Sequence, residues 1–218
     1  MNRPLLKFCG NHSLSDLKLA VQSEAQFIGI VFAKESKRQV SISEAEAWFR
    51  TIQLKPCQKL VGVFVNSPVS FIKRAVGRLP IDVIQCHGNE TVDDILDLKC
   101  QINKPVWKAI HQDQDTVKKM QAYEGVIDGF IIDTKTAKWG GSGVSFDWQH
   151  VPAYTKEAKR QGVHCFIAGG IRPDNIDRLL TYEPEGIDIA SGIETELRKD
   201  PEKIRQIAKK AGFIHATT

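Results

Sequence analysis

Short apolar runs alternate with longer amphipathic stretches along the whole chain. The runs are "LLKFC" (5–9), "FIGIVF" (27–32), "LVGVFV" (60–65), "DVIQC" (82–86), "PVWKAI" (105–110), "GFIID" (129–133), "VHCFIA" (163–168) and "GIDIA" (186–190). Each is rich in Val, Ile or Phe and short for a helix, which predicts buried strands. Between them, apolar positions recur three and four residues apart, as in Leu14, Leu17 and Val21, or Val69, Ile72 and Val76. That spacing predicts amphipathic helices. Ser13 or Ser15 is the expected cap of the first, and "DPEKIRQIAKKAG" predicts a helix that Pro201 starts and Gly212 ends.

Strict alternation of this kind predicts an α/β protein with a parallel sheet covered by helices. Eight units in 218 residues point to a single (β/α)8 TIM barrel over 1–218. An open sheet more often carries about five or six units. No linker, low-complexity tract or strong internal repeat interrupts the pattern.

Barrels of this type do their chemistry at the C-terminal ends of the strands, where the βα loops meet. Here those ends are Cys9, Phe32 onward, Asn66, His87, Ile110–His111, Asp133, Gly169–Gly170 and Ser191–Gly192. "IAGGIRPDN" sets two glycines ahead of a helix expected to begin near Pro173, and "IASGIETEL" sets Ser191 and Gly192 after the eighth strand. Backbone N–H groups beside a helix N-terminus bind phosphate, so the pair of loops predicts a phosphate site rather than merely tight turns. "GGSG" after strand six lacks the Lys-Ser/Thr of a Walker motif and is read as a lid or a further anion contact through Gly141.

Composition narrows the classes. Lys+Arg 30 against Asp+Glu 26 gives a net charge of +4 with no dense basic block, which speaks for solvated surface charge and no nucleic-acid partner. Five cysteines lie scattered without metal-site spacing, so neither a disulfide framework nor a metal is expected. The N-terminal "MNRPLLKFCG" is too weakly apolar for a signal peptide, and "FIGIVFA" falls far below the about 20 residues that span a bilayer. A cytoplasmic protein with no membrane partner is expected.

Cys9 and Asp133 end strands one and six at the same mouth. A thiol serves as a base only as thiolate, and an electropositive phosphate site is expected to lower its pKa. The plainer roles are a small buried hydrophobe for Cys9 and a loop cap for Asp133. "AKESKRQVS" offers Lys34, Lys37 and Arg38, and an arginine there can hold a carboxylate bidentately, unless the loop is only solvated. Gln85 and His87 share one face of strand four, His87 as a polar liner of the pocket. Lys7 and Asp188 are charges within apolar strands one and eight, which adjoin when a barrel closes. They are expected to point inward and pair beneath the site, the alternative being a solvated strand end. Cys86, Cys100 and Cys165 are expected to be covered and Cys57 exposed.

The ordered set "KFCG", "SKRQVS", "VGVFVN", "IQCHG", "DTKT…GGSG…FDW", "AGGIRPDN" and "IDIASGIE" resembles phosphoribosylanthranilate isomerases of tryptophan biosynthesis from about Leu6 to Glu194. The resemblance implies a single barrel without cofactor. The implied reaction is the Amadori rearrangement of a small molecule, N-(5-phosphoribosyl)anthranilate. It implies Cys9 as general base, Asp133 as general acid, Arg38 on the anthranilate carboxylate, and Gly169, Gly170, Ser191 and Gly192 on the phosphate. Phe8, Cys86 and Ala190 stand where Ile, Leu and Ser are more usual. The expected state is a monomer, a homodimer being the alternative. The rival readings are the histidine-pathway Amadori isomerase, expected to use aspartates on both sides and so disfavoured by Cys9, and a non-catalytic phosphate-ligand barrel.

Overall fold

The structure, a computed structural model, describes residues 3–133 and 148–213. Eight strands, β1 (Leu5–Phe8), β2 (Phe27–Val31), β3 (Lys59–Phe64), β4 (Ile81–Cys86), β5 (Val106–His111), β6 (Gly129–Asp133), β7 (His164–Ile167) and β8 (Gly186–Ile189), form a closed parallel barrel in chain order. Helices α1 (Leu14–Gln22), α2 (Ile42–Phe49), α3 (Val69–Arg78), α4 (Val92–Gln101), α5 (Thr116–Ala122), α6 (Val151–Gln161), α7 (Ile176–Leu180) and α8 (Pro201–Lys210) follow the strands in turn. The (β/α)8 barrel expected from the alternation is therefore the fold. Two departures occur after the last strands. α7 starts at Ile176 rather than near Pro173, and a 3-10 turn over Ser191–Ile193 with a small hairpin (Glu194–Thr195, Arg198–Lys199) precedes α8.

The helix starts follow from local chemistry. Ser13 caps α1 by accepting from the Asp16 N–H, and reciprocal capping boxes, Ser41 with Glu44 and Thr91 with Asp94, open α2 and α4. Asp200 accepts from the N–H groups of Glu202 and Lys203, and Pro201 occupies the first turn, where a missing N–H costs nothing. Gly212, at φ +81°, ends the chain's last helical turn as expected.

Alternation along each strand separates two apolar cores. Leu6, Phe8, Ile28, Ile30, Phe130 and Ile132 face the helices, whereas Val61, Val63, Val83, Ile131 and Phe166 fill the barrel. Its lower end is plugged by Phe27, Trp107 and Phe166, whose ring centroids lie 4.9–5.3 Å apart. Glycines make that plug possible. A Cβ at Gly129 would lie 2.6 Å from Trp107 Cδ1, and one at Gly186 would lie 2.5 Å from Phe166 Cδ1. The barrel is thus filled by side chains below, and its upper end opens into a cavity. Among the described residues, no helix is long and apolar enough to cross a membrane.

One polar pair interrupts the interior. β1 pairs with β8 in a register that sets Lys7 opposite Asp188, and Lys7 Nζ lies 2.8 Å from Asp188 Oδ2. Lys7 is fully buried and Asp188 is 7% exposed, so the expected inward pairing is what forms. Removing one partner strands a buried charge. Asp188→Ala should lose about 3–5 kcal/mol of stability, read from the urea midpoint; an unchanged midpoint would show that the ammonium finds solvent.

Candidate active site

Cys9 follows β1 directly, and its N–H donates to the Ile189 carbonyl of β8 at 2.9 Å. The thiol points inward over β2, where Gly29 leaves it room: a Cβ there would lie 2.6 Å from Cys9 Sγ. Lys7, two residues earlier, sits beneath it. Burial works to lower the Lys7 pKa, but Asp188 and Cys9 outweigh it and hold the ammonium above its ordinary value. Burial likewise dominates at Cys9 and pushes the thiol up, against the opposing pull of Lys7. The expectation that the electropositive mouth lowers the thiol's pKa is therefore corrected. Desolvation of the sulfur outweighs the neighbouring cation.

Across the mouth, Asp133 ends β6, and its carboxylate Oδ2 lies 3.4 Å from His87 Nε2. Gln85 Nε2, donating at 2.8 Å, makes His87 Nδ1 the acceptor, which leaves the Nε2 proton facing Asp133. Gln85, His87 and Asp133 thus form a line. Cys9 and Asp133, separated by β7 and β8, line one cavity together with Arg38, Gln85, His87 and Asp188. Gln85 Oε1 and Asp188 Oδ1 are buried there with no hydrogen-bond partner among the described residues. Such acceptors cost stability unless something satisfies them. His111 also lines the cavity, its ring 6.0 Å from that of His87.

Gly169, Gly170, Ser191 and Gly192 line the third side. Gly169 and Gly170 take φ of +89° and +66°, conformations that other residues rarely adopt. The two loops pack backbone to backbone: a Cβ at Gly192 would lie 1.7 Å from the Ile171 carbonyl oxygen. Asn175 clamps the first loop, donating to the Gly170 carbonyl at 2.9 Å and accepting from the Arg172 N–H at 2.8 Å. The N–H groups of Asn175 and Ile176 both donate to the Arg172 carbonyl, so a turn over 172–176 that contains Pro173 leads into α7. Gly141 lies outside the described residues.

Of the three cations in the basic loop, Arg38 lines the cavity, whereas Lys34 and Lys37 are exposed. Its guanidinium already has a protein partner, which the sequence did not suggest. Nε donates to Glu194 Oε1 at 2.8 Å and Nη2 to Glu194 Oε2 at 2.5 Å. Glu194 also accepts from buried Lys199, which donates further to the carbonyl of Cys9 at 2.6 Å. Neither Glu194 nor Lys199 carries a local signal. Glu194 gains its meaning from Arg38, 156 positions away in sequence, and Lys199 from Glu194 and the distant Cys9 carbonyl. Among the described residues, no cluster of three or more His, Cys, Asp or Glu could hold a metal.

A (β/α)8 barrel with a thiol, a carboxyl group and two glycine-rich loops around its open mouth has the architecture of a barrel enzyme. A family model described as N-(5'-phosphoribosyl)anthranilate (PRA) isomerase matches residues 6–210, so this chain belongs to that isomerase family. Relatives bearing that name include one from Geobacillus thermodenitrificans, 52% identical over 94% of this chain and 92% of its own. Another, from Bacillus subtilis, is 41% identical over 96% of each chain. A solved structure of phosphoribosyl anthranilate isomerase from Thermotoga maritima covers 97% of this chain and 100% of its own with TM-score 0.83 at 27% identity.

Cys9 is buried, with Cys86 and Cys165, whereas Cys57 and Cys100 are exposed. Cys100 corrects an expectation, because it lies on the outer face of α4. The raised thiol predicts a distinctive pH profile. Iodoacetamide should inactivate by modifying Cys9, at a rate still climbing above about pH 8.5, and inorganic phosphate should slow it. A plateau near about pH 7, or loss of activity that tracks Cys57 or Cys100, would contradict the site.

Proposed function

We propose that this isomerase converts N-(5-phosphoribosyl)anthranilate to 1-(2-carboxyphenylamino)-1-deoxyribulose 5-phosphate, an Amadori rearrangement in tryptophan biosynthesis. The observation that carries the reading is a thiol on β1 and a carboxyl group on β6 facing one cavity, whose third side is two glycine loops. Free cysteines throughout the chain suit work in a reducing cytoplasm.

Asp133 protonates the ribose ring oxygen and opens the ring, while the substrate nitrogen receives the positive charge as an iminium. That charge acidifies the neighbouring C2–H. Cys9, as thiolate, removes this proton, and the enolamine tautomerises to the ketone. The raised thiol pKa fits this order of events. Lys7 opposes the burial that raises the thiol, and the substrate iminium adds a second nearby cation that favours the thiolate. His87, itself held by Gln85, donates toward Asp133 and fixes the acid's orientation. The loops at Gly169–Gly170 and Ser191–Gly192 hold the phosphate by backbone N–H groups. Gln85 Oε1 and Asp188 Oδ1, without a hydrogen-bond partner among the described residues, accept from substrate hydroxyls. Arg38 holds the anthranilate carboxylate.

Turnover of phosphoribosylanthranilate by the purified protein tests the reaction, and its absence would overturn the reading. Asp133→Asn should then lose about 10²–10⁴-fold in kcat, the usual value of acid catalysis, while KM changes little. An amide keeps the shape but cannot give up a proton, so retention of more than about a tenth of kcat would refute the acid's role.

A further inference from the structure

We infer that Glu194 is a positioning residue, holding Arg38 in the one orientation that presents a free guanidinium edge to the substrate's carboxylate. The inference rests on the carboxylate role of Arg38 proposed above. It begins with the geometry of a guanidinium, whose five N–H donors form two bidentate edges, one through Nε and Nη2 and one through Nη1 and Nη2. Glu194 occupies the first, with Nε at 2.8 Å from Oε1 and Nη2 at 2.5 Å from Oε2. The second edge stays available for a planar carboxylate.

Four further contacts make this arrangement rigid. Glu194 is itself fixed by Lys199, whose Nζ lies 2.8 Å from Oε1. Lys199 in turn donates to the carbonyls of Cys9, at 2.6 Å, and Ala190, at 3.2 Å, which anchors it to the ends of β1 and β8. From the other side the stem of Arg38 lies over Gly10, which has φ +74° and where a Cβ would fall 2.4 Å from Arg38 Cδ. The guanidinium is therefore pinned between a glycine floor and a carboxylate wall. The side chains of Arg38 and Glu194 are only 13% and 4% exposed, so this is not a solvated surface pair.

The charges balance in a way that suits the purpose. Two cations, Arg38 and Lys199, share one anion, Glu194, and the group keeps one net positive charge for an incoming carboxylate. Burial opposes the ionised form of Glu194, yet Arg38 and Lys199 hold its carboxyl below the usual range. The same chain links the carboxylate holder to the backbone of Cys9, so the aromatic end of the substrate and the base share one reference frame. Ordering a side chain before binding removes its entropic cost from the binding step.

Steady-state kinetics on wild type, Glu194→Gln, Arg38→Met and the double variant test the idea, with competitive inhibition by ribose 5-phosphate as a second readout. Glu194→Gln should raise KM for phosphoribosylanthranilate at least about tenfold, with kcat changed less than about threefold. Inhibition by ribose 5-phosphate should stay within about twofold, because that ligand has no carboxylate for Arg38. On the Arg38→Met background, Glu194→Gln should change kcat/KM by less than about twofold, since it acts only through the arginine. Should the stranded Lys199 unfold the single variant, Glu194→Gln/Lys199→Met removes that charge, and the same rise in KM is expected. An unchanged KM in a folded variant, effects that multiply in the double variant, or equal loss of ribose 5-phosphate inhibition would each overturn the inference while leaving the proposed reaction intact. A wild-type protein that turns over no phosphoribosylanthranilate would overturn both.

Discussion

The ion pair between Lys7 and Asp188 ties the closure of the barrel to the chemistry of its mouth. It forms at the seam where the first strand meets the last, in a register that sets the two residues side by side. Below it, the interior is a dry plug of aromatic rings and branched aliphatics; above it stands the thiol of Cys9. A charge so deep survives only with a partner, and the partner is present only when the barrel has closed. Correct closure and the setting of the thiol are thus one event.

The same logic extends upward. The ends of β1 and β8 are tied again by Lys199, through the carbonyls of Cys9 and Ala190. Glu194 and Arg38 continue that tie to the loop after β2. On the far side, Gln85 and His87 lead from β4 to Asp133 on β6. The thiol and the carboxyl group therefore each stand at the end of a short polar chain that ties strand ends to the loops above them. A second buried pair, Lys108 with Glu90, fixes the turn after β4, with Glu90 accepting from the Gly88 N–H and Lys108 donating to the Gly88 carbonyl. Precision at the mouth comes from this repeated use of paired buried charge.

Much of this was legible in the sequence, for identifiable reasons. Parallel strands are buried on both faces, so each appears as an unbroken apolar run, and counting them identifies the barrel. Strand ends in a barrel converge at one mouth, so Cys9, His87, Asp133 and Gly169 could be gathered without knowing any contact. Lys7 and Asp188 stood out as charges in apolar strands. Glu194 and Lys199 did not, because they lie in an irregular hairpin after β8 and acquire meaning only through Arg38 and the Cys9 carbonyl, far away in sequence. Asn175 was hidden behind Pro173, because its side chain acts by reaching back to the Arg172 N–H and the Gly170 carbonyl. The thiol's pKa was misjudged because sequence reveals a neighbouring cation more readily than the depth of burial that opposes it. Cys100 was misjudged because its position on α4 does not by itself say which face is covered.

The central claim is that the buried ammonium of Lys7, besides pairing across the closing seam, acts on the thiol above it. The variant Lys7→Met/Asp188→Asn removes both charges without stranding either, and replacing a buried ion pair in this way is commonly tolerated. The most direct measurement is the pH dependence of Cys9 alkylation in that variant, alongside its urea midpoint. The account predicts a folded protein in which the midpoint of Cys9 ionisation has moved to higher pH than in wild type, because burial remains and the opposing cation is gone. A folded variant whose Cys9 ionises as in wild type would contradict it.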